Sequence, residues 1–599
     1  MKRFFVSAVL LVLALAACQK VDPVSPVDPL PFPYDTNKDL SVQPGDDFYQ
    51  YCNGAWLART PVPATGTTGG MYDLFPVKDE RVDRLVKEDP SLKRFFQLKD
   101  EMYDHVEASQ AYMVGVAARF PVPASREDLF RTLGKMITEG MPAIGLELTL
   151  DYKDGKLVGV LSFYGSTYQY TFSEISPSIQ TELGWIVEGM GMNPQDLYYN
   201  DQTVYFMNIL KQIQPEEYAE VMQFGFAKLY PYVSEEGLAL YNMFNTPSWT
   251  KDIAAAWGSS LVGYELSYRF AAKYVSPELK QEYLDKVERL RDAFRARILT
   301  LDWMSETTRS NALEKLDKMV ACVGYPDSWH EEFMPDLTGC ESFVEAAHIL
   351  KCNKFRLFKH LIGTDDLFGS FLTDVERGLN DEPLVTDLTL VNCFYKREYN
   401  AIAILPAFIL PPAANRDVTE AHEYAFLSVA AHEITHGFDS EGSRYDANGR
   451  FRNWWTVADQ MAFIDRQEQL VSCYNLLEYD PVGAPGKYTD GRRTLTENIA
   501  DLGGFLIARD AYVARLQEQG YNGENYKAQL KKFYESYADL YCSQYSKETI
   551  DDLLTTDIHS HARLRTNGVV MNTDMWYDLY DVSRDDLLYL PVEKRTYIW

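Results

Sequence analysis

Ala431-His432-Glu433-Ile434-Thr435-His436-Gly437-Phe438-Asp439 is the stretch on which the reading of this chain turns. It contains H-E-x-x-H. In a helix, residues four apart stand one turn above each other, so His432 and His436 share a face and Glu433 flanks it. Glu420 to Ala431 hold neither Pro nor Gly and place Ala425, Phe426 and Val429 at helical spacing, which predicts that a helix runs into the motif. Two imidazoles on such a scaffold suit Zn²⁺, and an adjacent carboxylate is placed to take a proton from water. The same three residues also occur by accident on buried helices, so the motif needs a second signal.

Thr496-Glu497-Asn498-Ile499-Ala500-Asp501 supplies it. It too reads as helix, with the carboxylates of Glu497 and Asp501 four apart on one face. A catalytic zinc takes three protein ligands and keeps one open position, so Glu497 fits as the third ligand. Asp501 then accepts the free ring N–H of a ligand histidine and fixes its tautomer. The competing pattern H-E-x-x-H-x-x-G-x-x-H requires Gly and His where this chain has Asp439 and Gly442, and is excluded.

The two motifs together resemble the neprilysin and endothelin-converting-enzyme family of zinc endopeptidases. The likeness runs in order through Asp46–Tyr51 and Gly54-Ala55-Trp56, Leu301–Ser305, Leu313-Glu314-Lys315-Leu316, Gly324–Asp327, Val391–Tyr395, Ile409–Pro412, Asn453-Trp454-Trp455 and Asp557-Ile558-His559-Ser560. It implies a mainly α, two-lobed zincin: a thermolysin-like catalytic lobe and a largely helical cap lobe enclosing a central cavity. It also implies one Zn²⁺ per chain held by His432, His436 and Glu497, with Glu433 as the base, Asp501 steadying His432 and Asp439 doing the same for His436. Asn392 and Cys393 stand at the family's substrate-binding Asn-Ala pair on an edge strand. His559 is the implied oxyanion donor, and Arg565, six residues on, the implied ligand of a substrate carbonyl; His561 and Arg563 form a rival pair in the same loop. Ile409, Val429 and Tyr541 fall at the apolar pocket positions, while Ala413 replaces an aromatic residue of animal members. Cys52 and Cys542 lie at or beside a disulfide of those members, and Thr596 stands where they carry another cysteine.

Residues 1–17 read as a lipoprotein signal and 18–37 as a Pro-rich tether, and the resemblance implies 38–75 as a segment of the catalytic lobe, 76–383 as the cap and 384–599 as the catalytic domain. Lys2 and Arg3 precede the apolar run Phe4–Ala17, too short to span a bilayer, and Leu15-Ala16-Ala17-Cys18 resembles a lipoprotein box with Cys18 as the lipidated residue. The expected location is therefore a bacterial cell envelope, through an N-terminal lipid. A net charge of −29 spread along the chain disfavours nucleic acid as a partner. The expected activity is zinc-dependent cleavage of short extended oligopeptides on the amino side of apolar residues, by a monomer. Two alternatives of other classes are a peptide-binding lipoprotein without catalysis and an adhesive surface protein; neither requires an intact Glu433. For the anchor, replacing Cys18 with Ala is expected to move the protein from the membrane to the soluble fraction of expressing cells. An unchanged distribution would overturn the lipidation.

Overall fold

The computed structural model describes residues 34 to 599 apart from 143–144, 163–168, 244–247, 372–374, 378–382, 386–387, 411–418 and 482. Cys18 and Ala413 lie outside the described residues.

The centre of the catalytic lobe is a pair of helices, Glu420–His436 and Leu495–Glu518, with Gly523–Leu540 packed beside them. The first two are buried on almost every side through their facing halves, as befits core helices without a solvent stripe. Two glycines let them touch. A Cβ on Gly504 would lie 2.6 Å from His432 N and 2.7 Å from Ser428 O, and one on Gly503 would lie 2.8 Å from Thr435 Oγ1. Glycine inside a helix costs about 1 kcal/mol relative to alanine; here the close backbone approach offsets it.

A three-stranded sheet flanks this pair. Ala401–Ile404 runs in its middle, parallel to Val320–Val323 and antiparallel to Cys393–Lys396, which is an edge strand. The central strand is buried on both faces, so alternation fails there and the sequence reads as one apolar run.

Residues that precede the cap fold back onto the end of the chain. The helix Phe48–Arg59 is capped by Asp47, which accepts from Gln50 N. Tyr49 N donates to Asn567 Oδ1 at 2.8 Å and Asn53 Nδ2 to Ala538 O at 2.9 Å. Thr67–Thr68 pairs with Gln544–Tyr545. The packed chain begins earlier than the predicted tether boundary at 37: Tyr34–Asn37 is helical, and buried Asn37 donates to Asp539 Oδ1 at 3.1 Å.

One expected boundary is corrected. Pro277–Val323, assigned to the cap by position within 76–383, packs against the catalytic helices. Phe294 meets Phe438 edge-on at 5.0 Å and Trp599 at 5.7 Å, and Arg297 pairs with Asp510 at 2.6 Å. The charged surface of Pro277–Thr300 hides a buried stripe of Tyr283, Val287, Leu290, Phe294 and Ile298 at helical spacing. The disulfide is corrected too: Cys52 and Cys542 are both buried free thiols. Cys52 sits one residue from the family position, and one residue of helix turns a side chain by about 100°. At Thr596 a hydrogen bond replaces the other bridge, its N–H donating to Asn572 Oδ1 at 2.8 Å.

The cap lobe carries a hairpin, Glu147–Lys153 with Lys156–Ser162, turned by Asp154 and Gly155 at φ 50° and 84°. Ser125 caps Arg126–Thr138 by accepting from Asp128 N at 3.1 Å. A second small core joins the lobes: Leu357, Leu361, Leu367 and Phe368 on the cap side meet Cys322, Ala401, Ala403 and Leu405 of the sheet. Gly504→Ala is expected to lower stability by about 1–3 kcal/mol through overpacking, read as a lower denaturation midpoint. Gly115→Ala, in the helix Val106–Ala118 where the added carbon meets nothing within 4 Å, is the matched control and should be neutral or stabilising. Equal effects at the two positions would show that the helix contact is not tight.

Candidate active site

The helix crossing at Gly504 brings the predicted residues together. His432 Nδ1 lies 2.8 Å from Asp501 Oδ1, and His436 Nδ1 lies 2.6 Å from Asp439 Oδ2. With each Nδ1–H given to a carboxylate, both Nε2 atoms present lone pairs. They face one buried oxygen, Glu497 Oε2, at 3.2 and 3.5 Å. His559 Nε2 reaches the same oxygen at 3.2 Å, yet Oε2 makes no well-directed hydrogen bond. Lone pairs converging on a carboxylate oxygen repel unless a cation stands among them. Four donors about 2 Å from a tetrahedral zinc lie about 3.3 Å apart. The observed separations match that, and the donor set of two imidazoles and a carboxylate suits zinc. Glu433 shares the site, with one carboxylate oxygen within 4.8 Å of the ring nitrogens of His432 and His436.

The electrostatics agree. Burial disfavours charge on His432 and His436, but the carboxylates of Asp501, Asp439 and Glu497 override it and raise both imidazoles above their ordinary range. Burial likewise opposes charge on His559, while Asp557 and Glu497 raise it to about 9. Burial pushes Glu497 up, and the three imidazoles hold it far below the usual carboxylate range. The pocket is built to hold positive charge.

The surrounding chain positions these groups. Asp439 Oδ1 accepts from Glu441 N at 2.7 Å and Gly442 N at 2.6 Å. Buried Lys315 donates to Gly442 O and Tyr445 O, both at 2.7 Å, which fixes the loop after the motif. Burial brings this ammonium down to about 7, against the pull of Asp439 and Asp446. Ser560 Oγ donates to Asn498 Oδ1 at 2.6 Å and Asp557 Oδ1 holds His559 Nδ1 at 2.9 Å, so the loop presents His559 to Glu497.

The cavity outside the site holds about 900 Å³, with walls from Met71, Tyr72 and Phe75, the strand edge at Asn392 and Cys393, and Val429 and Tyr541. Among the described residues none of its walls comes from 76–383. His559 and Arg565 line it, and the rival pair does not. His561 is buried against Tyr479 and Tyr545, and Arg563 pairs with Asp47 at 2.5 Å. Ile409 is a correction: it is fully buried in the core, and Phe408 lines the cavity instead. The four-residue helical turn Pro406–Ile409 sets that choice, and a turn so short carries no periodicity to read. Arg565 does more than expected. Its Nε and Nη2 grip Asp501 at 2.8 and 2.6 Å, and its guanidinium lies 4.7 Å over the Tyr541 ring. Sequence reading also passed over Lys315 and Asp557 as functional supports. Both lie inside the runs quoted above, but only the fold shows what they hold.

A helix-borne histidine pair, a carboxylate from a crossing helix and the edge strand of a sheet beside them define a zincin-type metal site. The chain belongs to peptidase family M13. Two profiles described as "Peptidase family M13" match residues 187–326 and 392–596, together more than half of the chain. A neutral endopeptidase of Lactococcus lactis subsp. lactis is 28% identical over 349 residues, 58% of this chain and 51% of the relative. Neprilysin of Mus musculus is 26% identical over 334 residues, 54% of this chain and 42% of the relative. The matched part of the chain thus spans about half the length of these curated relatives. Among solved structures, Mycobacterium tuberculosis zinc metalloprotease ZMP1 in its open state superposes with TM-score 0.71 at 22% identity, covering 93% of this chain and 100% of that one. The same protein in complex with inhibitor gives 0.62 at 22%, covering 94% and 99%.

Asp501→Asn keeps the size of the group but loses the carboxylate that holds both His432 and Arg565. Zinc affinity is expected to fall about 10–100-fold, measured by competition with a chromogenic chelator. Undiminished affinity would remove Asp501 from the site's support.

Proposed function

We propose that this chain is a zinc-dependent endopeptidase acting on extended oligopeptides, anchored by lipid at Cys18 in a bacterial envelope. The observation that carries the catalytic reading is the convergence of His432, His436 and His559 Nε2 on Glu497 Oε2 in a cavity wall, one side chain away from Glu433. His432, His436 and Glu497 would hold the metal. Zinc bound there supplies Lewis acidity toward the scissile carbonyl and lowers the pKa of water to about 7.

The residues of the chain supply the rest. The outer edge of Cys393–Lys396 adds a substrate strand through backbone hydrogen bonds, which tolerates many side chains. Asn392 at the start of that strand is exposed and lines the cavity. Glu433 takes the proton of the attacking water and returns it to the leaving amine. His559, held by Asp557, donates to the carbonyl oxygen as negative charge develops there; one such donor is worth about 10²–10³-fold in rate. Arg565 holds Asp501 with two nitrogens and offers its third to a substrate carbonyl. Phe408, Val429 and Tyr541 form the apolar wall that favours an apolar residue after the cut. The requirement for an extended strand, more than enclosure, excludes folded proteins.

Glu433→Gln is expected to keep its zinc and lose nearly all turnover of a quenched peptide, because the proton acceptor goes while the ligands stay. Activity within about tenfold of the parent would fall short of the 10²–10⁴-fold typical of a general base and would overturn the assignment.

A further inference from the structure

Away from the catalytic cavity, a second group of metal-ligating side chains gathers at the joint between the lobes. His330 lies in the loop after Val320–Val323, Glu332 in the single turn Glu331–Phe333, and His360 in the last turn of the helix Phe343–Leu361. One ligand atom of each lies within 4.8 Å of the others. The two rings approach to 4.6 Å. His330 turns Nδ1 toward Glu332 Oε1 at 4.0 Å and Nε2 toward Asp366 Oδ2 at 3.6 Å. Those last two atoms are buried, and neither makes a hydrogen bond. The other oxygen of Asp366 is fixed by Gly369 N at 2.9 Å, so Oδ2 is held facing His330.

We propose that His330, Glu332 and His360 form a second site for a borderline divalent cation of the zinc type, with Asp366 orienting His330 from behind. Two imidazoles and a carboxylate are a zinc donor set, and a carboxylate on the far ring nitrogen is the usual means of fixing such a histidine. Tetrahedral ligation needs donors about 3.3 Å apart. Glu332 and His360 are exposed, so their side chains are free to supply the contraction of about an ångström. The surroundings admit a cation: Asp327 is close enough to Asp366 to act on it, and the nearby Lys280 is already paired to Asp327 at 2.6 Å. Another cluster, Glu139, His348 and Cys352, is less apt, because Arg119 Nη2 already lies 2.7 Å from Glu139 Oε2 and provides the positive charge.

The placement gives the site a purpose. His330 and Glu332 follow directly from the strand Val320–Val323, two strands from the substrate edge. His360 and Asp366 bracket Leu361 and adjoin Leu367 and Phe368 of the core that joins the lobes. A cation there ties the cap side of the joint to the sheet side.

The test is zinc stoichiometry of the full chain, by elemental analysis after equilibration with zinc and removal of unbound metal. The parent is expected to hold two equivalents, His360→Ala one with peptide hydrolysis unchanged, and Glu497→Ala one, retained at the joint. Zinc should raise the melting temperature of Glu497→Ala, and this rise should vanish in the Glu497→Ala, His360→Ala double variant. A parent with a single equivalent, or a His360→Ala variant that keeps both, overturns the second site. A Glu497→Ala variant that still holds two equivalents would instead count against the catalytic ligand assignment, so the two failures are distinguishable.

Discussion

A single contact distance governs this molecule: the approach of Gly504 to the backbone at Ser428 and His432. Helices whose facing residues carry side chains pack with axes about 8–10 Å apart; glycines at the crossing permit the lower end. At that separation Asp501 reaches His432 and Glu497 stands opposite both ring nitrogens. A side chain at 504 would hold the ligands too far apart for one ion. The geometry of the site therefore depends on an absence of atoms against His432 and two turns along the helix from Glu497.

Around that crossing, charge is buried only where it is answered. Asp501 receives His432 on one oxygen and shares Arg565 across both; Asp439 receives His436 and two backbone N–H groups; Lys315 is spent on two carbonyls. Removing one partner of such a set leaves the other charge uncompensated, at a cost of about 3–5 kcal/mol. These contacts position the site's side chains without any ligand.

The metal site was legible because its information is local. Spacing of four within a helix places His432 over His436 and Glu497 over Asp501 whatever the rest of the chain does. The edge strand at Cys393 and the loop with His559 were placed by resemblance. What escaped reading depends on tertiary phase. Ile409 and Phe408 differ by one residue in a turn too short to show a period. Cys52 misses its partner by one helical step. Pro277–Thr300 looks solvated because charged residues outnumber its apolar stripe, and only the arrival of Phe438 and Trp599 reveals which face is inside. The cavity walls similarly required knowing that Met71 and Tyr72 return to the far end of the chain.

That return has a consequence for the chain's biogenesis. The lobe that carries the candidate metal ligands is assembled from residues near 50, near 300 and beyond 390, and Arg565 and Trp599 are translated after the histidine helix. The histidine helix emerges well before the guanidinium that locks Asp501 and before the aromatic ring that closes over Phe294 and Phe438. A nascent chain long enough to display His432 and His436 still lacks the parts that hold them in register. The geometry of the candidate site is thus completed only after translation has passed all three segments.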